Sequence, residues 1–250
     1  MNKIIIIGAS SGIGKELARL YKKNNDVLGL AARRLNLLEE LKNELGSEVF
    51  IAQMDVSKPE EASQTLLELI DEMGGVDLLL ISAGTGYINP NLEWKYECET
   101  IDINIKGFTA LATAGMKYFM QKECGHLAAI SSIAALRGSG TCPAYNASKA
   151  YISNYLEGLS CKAKLYGKNI TVTDIKPGFV NTAMAQGEGL FWVASPEKAA
   201  KQIFRIINRR KSGGYVTKRW GLIAVLFKIM PRRLYIWICN RSERAEIKTT

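Results

Sequence analysis

The sequence predicts an α/β fold, a doubly wound parallel sheet with helices on both faces. Short apolar runs alternate with longer helical patterns, and a glycine-rich turn follows the first apolar run. No linker or repeat divides the 250 residues, a length that such a sheet commonly uses as one domain. We therefore expect residues 1–217 to form the body of a single domain and residues 218–250 to extend it as helices.

The predicted elements alternate between strand and helix along the chain. The strands fall near residues 4–7, 27–31, 49–54, 76–82, 126–131 and 170–175. The helices fall near residues 12–23, 35–45, 59–73, 97–121 and 143–166. Such alternation implies right-handed crossovers between parallel strands, and ligands then bind outside the carboxyl ends of the strands.

The first strand ends at a turn that contains Gly8, Gly12 and Gly14. Glycines at this point allow a tight turn and let the backbone approach a pyrophosphate, which the positive end of the following helix attracts. The alternative is a tight strand-to-helix connection without a ligand. The position at a strand end favours a dinucleotide site.

The second strand ends in Ala31-Ala32-Arg33-Arg34, where a carboxylate would bind the 2′-hydroxyl of NAD. An arginine suits the 2′-phosphate of NADP instead, so NADP is favoured and NAD is the alternative. The less favoured alternative is that Arg33 and Arg34 are merely solvated. At the end of the third strand, Asp55 is either an acceptor for the adenine amino group or the start of a turn.

The fifth strand ends at Ser132, and a helix after the following loop contains Tyr145 and Lys149. Residues four apart share a helix face, so the Lys149 ammonium is expected to lie near the Tyr145 phenol and to lower its pKa from the usual ~10. The pair and the Ser132 hydroxyl are a candidate acid–base group for a carbonyl or alcohol. Tyr118 and Lys122 have the same spacing, but no strand end and loop precede them.

Taken together, these motifs resemble the short-chain dehydrogenase/reductase family over about the first 215 residues. They occur in the family's order and near its spacing: Gly8-x-x-x-Gly12-x-Gly14, Asp55-Val56, Ala83-Gly84, Asn104, Ser132, Tyr145-x-x-x-Lys149 and Pro177-Gly178. The resemblance implies a Rossmann-like, dinucleotide-binding catalytic domain and an NAD(P)-dependent oxidoreductase that acts on CH–OH or C=O groups.

The resemblance also implies roles for the matching residues. Tyr145 would exchange a proton with the substrate oxygen, Ser132 would hydrogen-bond that oxygen, and Lys149 would lower the Tyr145 pKa and hold the nicotinamide ribose. Asn104 would support a water-linked proton relay to the lysine, the alternative being a polar residue that bends a helix. Thr182 would contact the nicotinamide amide. The implied cofactor contacts are Gly8, Ser10, Ser11, Gly12, Ile13, Gly14, Arg33, Arg34, Asp55, Val56, Ala83, Gly84, Asn104, Tyr145, Lys149, Pro177, Gly178, Val180 and Thr182.

Two positions depart from the family pattern. Ile7 stands where threonine is usual before the glycine turn, and Ser82 stands where asparagine is usual before Ala83-Gly84. Each change removes a hydrogen-bonding group near the cofactor, so it bears on cofactor affinity and leaves the reaction class unchanged.

The five cysteines are scattered without a C-x-x-C motif, and His126 is the single histidine. The sequence therefore offers no metal-ligand cluster, and it favours a reducing cytoplasm. His126 opens a predicted strand and is expected to be structural. Cys142 is expected either to line the substrate pocket or to fill space as a small apolar side chain.

Substrate choice is expected to depend on three loops beyond the strand ends, at residues 85–94, 137–142 and 181–193. The last contains Met184, Leu190, Phe191 and Trp192 among glycines. This pattern suggests an apolar lid and a mainly hydrophobic carbonyl or alcohol substrate.

The net charge of +9 is concentrated at the C-terminus, where residues 205–250 hold 12 Lys/Arg and 2 Asp/Glu. Lys228 and Pro231 interrupt its apolar stretches, which are shorter than the ~20 residues of a membrane-spanning helix. Two short amphipathic helices over residues 218–241 would suit peripheral contact with an anionic membrane, or would cover the substrate pocket or a subunit contact. No nucleic-acid partner is expected, because the basic residues alternate with aliphatic ones.

Two functions of different class follow from these observations. The first is an NADP-dependent oxidoreductase, indicated by the complete set of Ser132, Tyr145 and Lys149. The second is a noncatalytic nucleotide-sensing or scaffold protein that acts through its basic tail, and the intact set argues against it. Family analogy further suggests a homodimer or homotetramer.

Overall fold

The computed structural model of the protein describes residues 1–165, 169–182 and 192–247, with side chains up to residue 241. Seven parallel strands form one sheet in the order β3-β2-β1-β4-β5-β6-β7. The strand order reverses between β1 and β4, as in a doubly wound sheet, so the predicted fold class is confirmed. The strands are β1 (Lys3–Ile7), β2 (Val27–Ala32), β3 (Val49–Gln53), β4 (Leu78–Ile81), β5 (Cys124–Ile130), β6 (Asn169–Pro177) and β7 (Gly213–Val216).

Helices lie on both faces of this sheet because consecutive residues of a strand point in opposite directions. In β1, Ile5 and Ile7 share a core with α3, α5 and α6, whereas Ile4 and Ile6 share one with α1, α2 and α7. A strand covered on both sides needs apolar residues throughout, which explains the run of four isoleucines. The helices are α1 (Gly12–Lys23), α2 (Leu35–Leu45), α3 (Pro59–Glu72), α4 (Trp94–Ile101), α5 (Phe108–Lys122), α6 (Pro143–Leu165), α7 (Pro196–Asn208), α8 (Arg219–Ile229) and α9 (Arg232–Ile247).

The helix predicted at residues 97–121 is divided into α4, a π-helical turn at Asp102–Gly107, and α5. At the end of this turn, a Cβ atom on Gly107 would lie 2.0 Å from the carbonyl oxygen of Val56. The chain therefore passes close to the loop after β3, and only glycine fits at that point.

The sequence analysis did not predict α7 and β7. Two of the four residues of β7 are glycines, which weaken strand propensity, and the strand depends on its pairing with β6. A Cβ atom on Gly213 would lie 2.7 Å from the carbonyl oxygen of Asp174. Tertiary contact thus specifies this strand more strongly than its own composition does.

The C-terminal extension packs on the sheet through α8. Trp220 and Ala224 are buried and share a small core with Ile133 and Phe179. Ile133 opens a 3₁₀ turn at Ile133–Leu136, directly after β5. The inner face of α8 therefore covers the turn that follows the end of β5.

Arg137 binds the C-terminal end of α8. Its guanidinium donates to the carbonyl oxygens of Phe227 (2.8 Å) and Met230 (2.5 Å), which lie at the C-terminus of this helix. The phenol of Tyr235, on α9, donates to the carbonyl oxygen of Gly138 (2.5 Å). A cation on the last carbonyls is favourable for both hydrogen bonding and the helix dipole.

The outer face of α8 is aliphatic and exposed. It carries Leu222, Val225, Leu226 and Ile229, of which Leu222 is 77% and Ile229 73% exposed. The predicted amphipathic helix is thus wrong for α8, because its buried and its outer sides are both apolar. Among the described residues, no helix is long and apolar enough to cross a membrane.

We predict that Trp220→Ala lowers the free energy of unfolding by about 3–5 kcal/mol, because it leaves a cavity beneath α8. Trp237→Ala is the matched control, since this tryptophan of α9 is 58% exposed and its loss should cost less than about 0.5 kcal/mol. Urea unfolding measures both. Equal losses for the two variants would contradict the docking of α8.

Candidate active site

The turns after β1 and β4 pack together at the carboxyl edge of the sheet. A Cβ atom on Gly8, whose φ is +90°, would lie 2.5 Å from the backbone nitrogen of Ala83. A Cβ atom on Gly14 would lie 2.2 Å from the carbonyl oxygen of Gly8. Side chains at either position would separate α1 from the end of β1, so the glycines keep the helix N-terminus close to the sheet.

The N-terminus of α1 is open towards Thr182. No side-chain hydrogen bond from Ser11 caps the helix, and a Cβ atom on Gly12 would lie 3.1 Å from the Thr182 methyl group. Ser10 is buried beside the turn, while Ile13 packs partly into the core. Free backbone N–H groups at a helix N-terminus suit an anion, so this cradle fits the pyrophosphate of a dinucleotide.

Arg33 and Arg34 follow the end of β2, and both are exposed. The Arg34 guanidinium donates to the hydroxyls of Ser10 (3.0 Å) and Ser11 (2.8 Å). Arg33 lines an open hollow of about 440 Å³ together with Ser57 and residues of α4. Two exposed cations therefore lie where the 2′-phosphate of NADP is expected.

Asp55 forms the turn that the sequence analysis gave as its alternative. Its Oδ1 accepts hydrogen bonds from the backbone N–H (3.0 Å) and the hydroxyl (2.8 Å) of Ser57. Burial opposes ionisation of the carboxyl, but the Ser57 hydrogen bonds and the nearby Arg33 outweigh it, and the Asp55 pKa lies below its ordinary value. Val56 follows it, partly buried against the core. The adenine contact stays a prediction.

Ser132 and Tyr145 come together as predicted. The Ser132 hydroxyl lies close enough to the Tyr145 phenol to favour its ionised form, and it accepts from the backbone N–H of Ala134 (3.1 Å). The Tyr145 ring packs on Gly86, where a Cβ atom would lie 2.5 Å from the ring. The turn after β5 and the first turn of α6 thus present a hydroxyl and a phenol to the same point, a suitable pair for a substrate oxygen.

Lys149 is buried one helical turn further along α6. Its ammonium donates to the carbonyl oxygen of Ile130 (3.1 Å) and lies 5.7 Å from the centre of the Tyr145 ring. Burial lowers the Lys149 pKa to about 8, against the opposing effect of the Asp174 carboxylate. The lysine therefore loses its charge far more easily than a solvated one.

The expected lowering of the Tyr145 pKa is wrong. Burial raises the pKa of the phenol, and the nearby Ser132 hydroxyl offsets only part of the rise. The Lys149 ammonium is itself buried, and it donates to a backbone carbonyl. Burial therefore has a larger effect on the pKa of the phenol than this ammonium has. Tyr145 is consequently held in its neutral form, which is the form that donates a proton.

Asn104 lies in the π-helical turn and is almost completely buried. Its amide accepts from the backbone N–H of Thr85 (2.8 Å) and donates to the Thr85 carbonyl oxygen (2.7 Å) and to Ser148 Oγ (2.9 Å). A Cβ atom on Gly84 would lie 3.2 Å from Asn104 Oδ1 and 3.3 Å from Lys149 Nζ. Asn104 thus holds the turn after β4 beside Lys149, and its part in a proton relay stays a prediction.

The turn after β6 closes the site from the other side. The carbonyl oxygen of Pro177 accepts from Ser132 Oγ at 3.5 Å, and Val180 is buried beyond it. A Cβ atom on Gly178 would lie 1.9 Å from the indole nitrogen of Trp220. The tail therefore touches the motif that the family resemblance assigns to the cofactor.

Two of the predicted substrate loops are joined above Tyr145. The backbone N–H of Asn89 donates to the carbonyl oxygen of Thr141 (2.7 Å). In the third loop, Trp192 packs edge-to-face on Trp220, with ring centres 5.9 Å apart. Of the predicted lid, Met184, Leu190 and Phe191 lie outside the described residues.

The second Tyr-x-x-x-Lys pair is remote from this site, as its context predicted. Lys122 lies 6.0 Å from the Tyr118 ring centre, and the Tyr118 hydroxyl would lie 3.2 Å from a Cβ atom on Gly75, before β4 begins. The pair is therefore at the amino edge of the sheet, opposite the site.

His126 is structural, as predicted: its Nε2 lies 2.7 Å from Thr173 Oγ1 inside the sheet, and burial lowers its pKa to about 4. None of the five cysteines, all of which lie among the described residues, forms a disulfide. Cys142 is half-buried and donates to Asn146 Oδ1 (3.2 Å), so it supports the loop before α6.

The sequence analysis missed two contributors to the site. Trp220 packs against Gly178. Its only signal in the sequence was that of an aromatic residue in an apolar run. Asp174 is a buried carboxylate that hydrogen-bonds the Ser131 hydroxyl and pairs with Lys176. Its signal was the single carboxylate within a predicted strand, since a buried acid rarely occurs without a partner.

Comparison with known proteins agrees with this geometry. A family model described as short chain dehydrogenase matches residues 2–190. The chain is 31% identical over 243 residues to an uncharacterized oxidoreductase of Mycobacterium tuberculosis, covering 93% of this chain and 95% of that protein. It is also 31% identical to 11-beta-hydroxysteroid dehydrogenase 1A of Arabidopsis thaliana, covering 95% of this chain and 74% of that protein. The solved structure of ElxO with NADP bound has a similar fold, with a TM-score of 0.77, 20% identity, and coverage of 88% of this chain and 99% of that one.

We predict that Lys149→Met raises the free energy of unfolding at pH 7 by up to about 3 kcal/mol, since the wild type holds a buried ammonium there. The folded pKa of about 8 lies below the ordinary 10.5. The unfolded chain therefore binds more protons between these values, and wild-type stability rises with pH across that window. The advantage of the variant should shrink from pH 8 to 10.5.

Urea unfolding at pH 7 and pH 10 measures this difference. Lys122→Met, at an exposed position, is the matched control and should change stability by less than about 0.5 kcal/mol. An advantage of Lys149→Met that is the same at both pH values would contradict the burial of a titrating ammonium.

Proposed function

The chain belongs to the short-chain dehydrogenase/reductase family, and on that basis we propose that it transfers a hydride between NADP and the carbonyl or alcohol carbon of a hydrophobic substrate. The observation that carries this proposal is the meeting of Ser132, Tyr145 and Lys149 at the carboxyl edge of the sheet, beside the glycine turn. Bound NADPH would supply the hydride.

In the reductive direction, Tyr145 donates the proton that the substrate oxygen takes up as the carbonyl carbon is reduced. Ser132 hydrogen-bonds the same oxygen and stabilises the negative charge that develops on it. Lys149 lies one helical turn from Tyr145. Its pKa of about 8 is close to neutral pH, so it can help return a proton to Tyr145. Asn104 positions the turn that lies against Lys149.

NADP is the proposed cofactor because two cations, and no carboxylate, follow β2. Arg34 is already oriented towards the glycine turn by Ser10 and Ser11, and Arg33 is exposed beside it. An arginine fork matches phosphate oxygens, whereas NAD offers only a hydroxyl at this position. The NADP-bound state of the ElxO structure is compatible with this choice.

A hydrophobic substrate is proposed because the rings of Phe179, Trp192 and Trp220 pack together beside Gly178. We call these three rings the aromatic wall. Trp220 packs edge-to-face with both Phe179 (5.4 Å between ring centres) and Trp192 (5.9 Å). The name of the Arabidopsis relative, a hydroxysteroid dehydrogenase, indicates that a chain of this family and similarity acts on an apolar alcohol. Specificity for an apolar carbonyl or alcohol would then depend on these rings.

The noncatalytic scaffold is the weaker hypothesis because Ser132, Tyr145 and Lys149 are all present and meet beside the glycine turn. NADPH turnover across a panel of aldehydes, ketones and alcohols distinguishes the two. Cofactor binding without turnover of any of them would favour the scaffold.

We also propose the partners that the sequence suggested. The exposed aliphatic face of α8 is proposed to lie in an anionic membrane interface, which would make the cytoplasmic protein peripherally membrane-associated. The homodimer or homotetramer implied by the family stays a prediction, which sedimentation equilibrium measures.

We predict that Tyr145→Phe lowers turnover at least about a hundredfold while NADPH binding is retained, because the ring remains and only the proton donor is lost. Steady-state kinetics and NADPH fluorescence titration measure the two quantities. Tyr118→Phe is the matched control, since it removes a phenol from the remote Tyr-x-x-x-Lys pair and should leave turnover unchanged. A loss of less than tenfold in Tyr145→Phe would exclude Tyr145 as the main acid–base group.

Arg33→Asp is expected to shift cofactor preference from NADP towards NAD, lowering the ratio of kcat/KM for NADPH over NADH roughly tenfold or more, because a carboxylate repels the 2′-phosphate. Lys42→Asp, on the exposed side of α2, makes the same change in charge away from the turn and should leave the ratio unaltered. An unchanged ratio in Arg33→Asp would refute the assignment of Arg33.

A further inference from the structure

A groove of about 760 Å³ lies between α7, β7 and the start of α8. Six cations line it and no carboxylate does. We call it the basic groove, and its cations are Lys198, Arg205, Arg209, Lys211, Lys218 and Arg219. All six are exposed, and none of them forms an ion pair with a carboxylate among the described residues.

The cations come from three elements that converge on the groove. Lys198, Gln202, Arg205 and Arg209 follow one another at spacings of four, three and four, so they share one face of α7. The opposite face of α7 is buried in the core. The floor is β7, the last strand of the described sheet, whose Gly213 and Gly214 expose backbone at a sheet edge. Such a concentration of like charge attracts anions.

The basic groove adjoins both the exposed face of α8 and the active site. Lys218, Arg219 and Gly221 line the groove at the start of α8, and the aliphatic outer face of this helix begins at Leu222. Trp192 also lines the groove and packs on Trp220, which lies against Gly178 of the site. A ligand that spanned groove and helix would therefore need an anionic part and an apolar part side by side.

We propose that the basic groove binds the phosphate headgroup of an anionic phospholipid while the outer face of α8 inserts among the acyl chains. Six cations beside an aliphatic face of four residues match the two parts of a lipid surface. This orientation places Trp192 and Trp220 of the aromatic wall next to the membrane, so an apolar substrate could enter from the bilayer. That last consequence rests on the proposed hydride transfer, and the lipid site extends the membrane contact proposed for α8.

Other occupants fit the same surface less well. A second copy of the chain related by a two-fold axis would set this patch against itself, and six cations without carboxylate partners would repel six others. Nucleic acid would match the charge but would leave the aliphatic face of α8 exposed to water.

Vesicle cosedimentation of the full-length protein tests the proposal, with phosphatidylcholine alone and with an equimolar mixture of phosphatidylcholine and phosphatidylglycerol. The protein should bind the anionic vesicles and not the neutral ones. The double variant Lys198→Glu with Arg205→Glu should bind at least about tenfold more weakly, because reversing each charge replaces attraction with repulsion. The neutral pair Lys198→Gln with Arg205→Gln should show a smaller loss, and Leu222→Ser with Leu226→Ser should weaken binding through the apolar part.

The matched control is Lys164→Glu with Lys201→Glu, which makes the same change in net charge. Lys201 lies on α7 outside the groove lining, and Lys164 is exposed on α6. This variant should bind within about threefold of wild type. NADPH binding and turnover of a soluble aldehyde, measured in every variant, show that each is folded and keep a failure of the lipid site separate from a failure of the proposed activity.

Three results would overturn the proposal. The first is wild-type protein that does not bind anionic vesicles, and the second is an equal loss in the groove and control variants, which would mean attraction by net charge alone. The third is saturable, groove-dependent binding of inorganic phosphate or glycerol phosphate without vesicle binding, which would assign the groove to a soluble phosphate ester.

Discussion

The backbone of the turn after β1 packs against the backbone of the turn after β4 so closely that a Cβ atom on Gly8 would lie 2.5 Å from the Ala83 nitrogen. The two strands are neighbours in the sheet, yet their helices leave towards opposite faces. A crevice opens at that point, and the glycines let α1 start at its edge. Strand β5 ends and helix α6 begins beside this crevice. Ser132, Tyr145 and Lys149 can act together only because of this placement.

Burial gives the site its chemical character and also makes it costly to fold. Lys149 has an ammonium held inside the protein with one backbone carbonyl as its hydrogen-bond acceptor, and its pKa falls to about 8. The same burial raises the pKa of Tyr145, so the phenol remains neutral until a reaction changes the charge around it. A lysine with a lowered pKa and a tyrosine with a raised pKa, one turn apart on the same helix, are a suitable arrangement for moving a proton at neutral pH.

The C-terminal extension links the catalytic edge to the outside of the molecule. Trp220 packs on Gly178 from within, Arg137 fastens the end of α8, and the outer side of that helix remains aliphatic. The alternatives considered for the tail, a cover for the pocket and a surface for a membrane, are therefore compatible, since opposite faces of one helix would serve them. The basic groove lies where α8 begins, which is why its charge and the aliphatic face form one continuous surface.

The sequence by itself determined the fold class and indicated the candidate catalytic set, because both depend on local patterns: apolar runs of strand length, a glycine turn, and a tyrosine and a lysine one helical turn apart. It also separated Tyr145 from Tyr118 by what precedes each. Only the tertiary structure decided the direction of the Tyr145 pKa, the contact of Trp220 with Gly178, the existence of β7 and the assembly of the basic groove. These features depend on burial and on residues distant in the chain, which sequence periodicity does not encode.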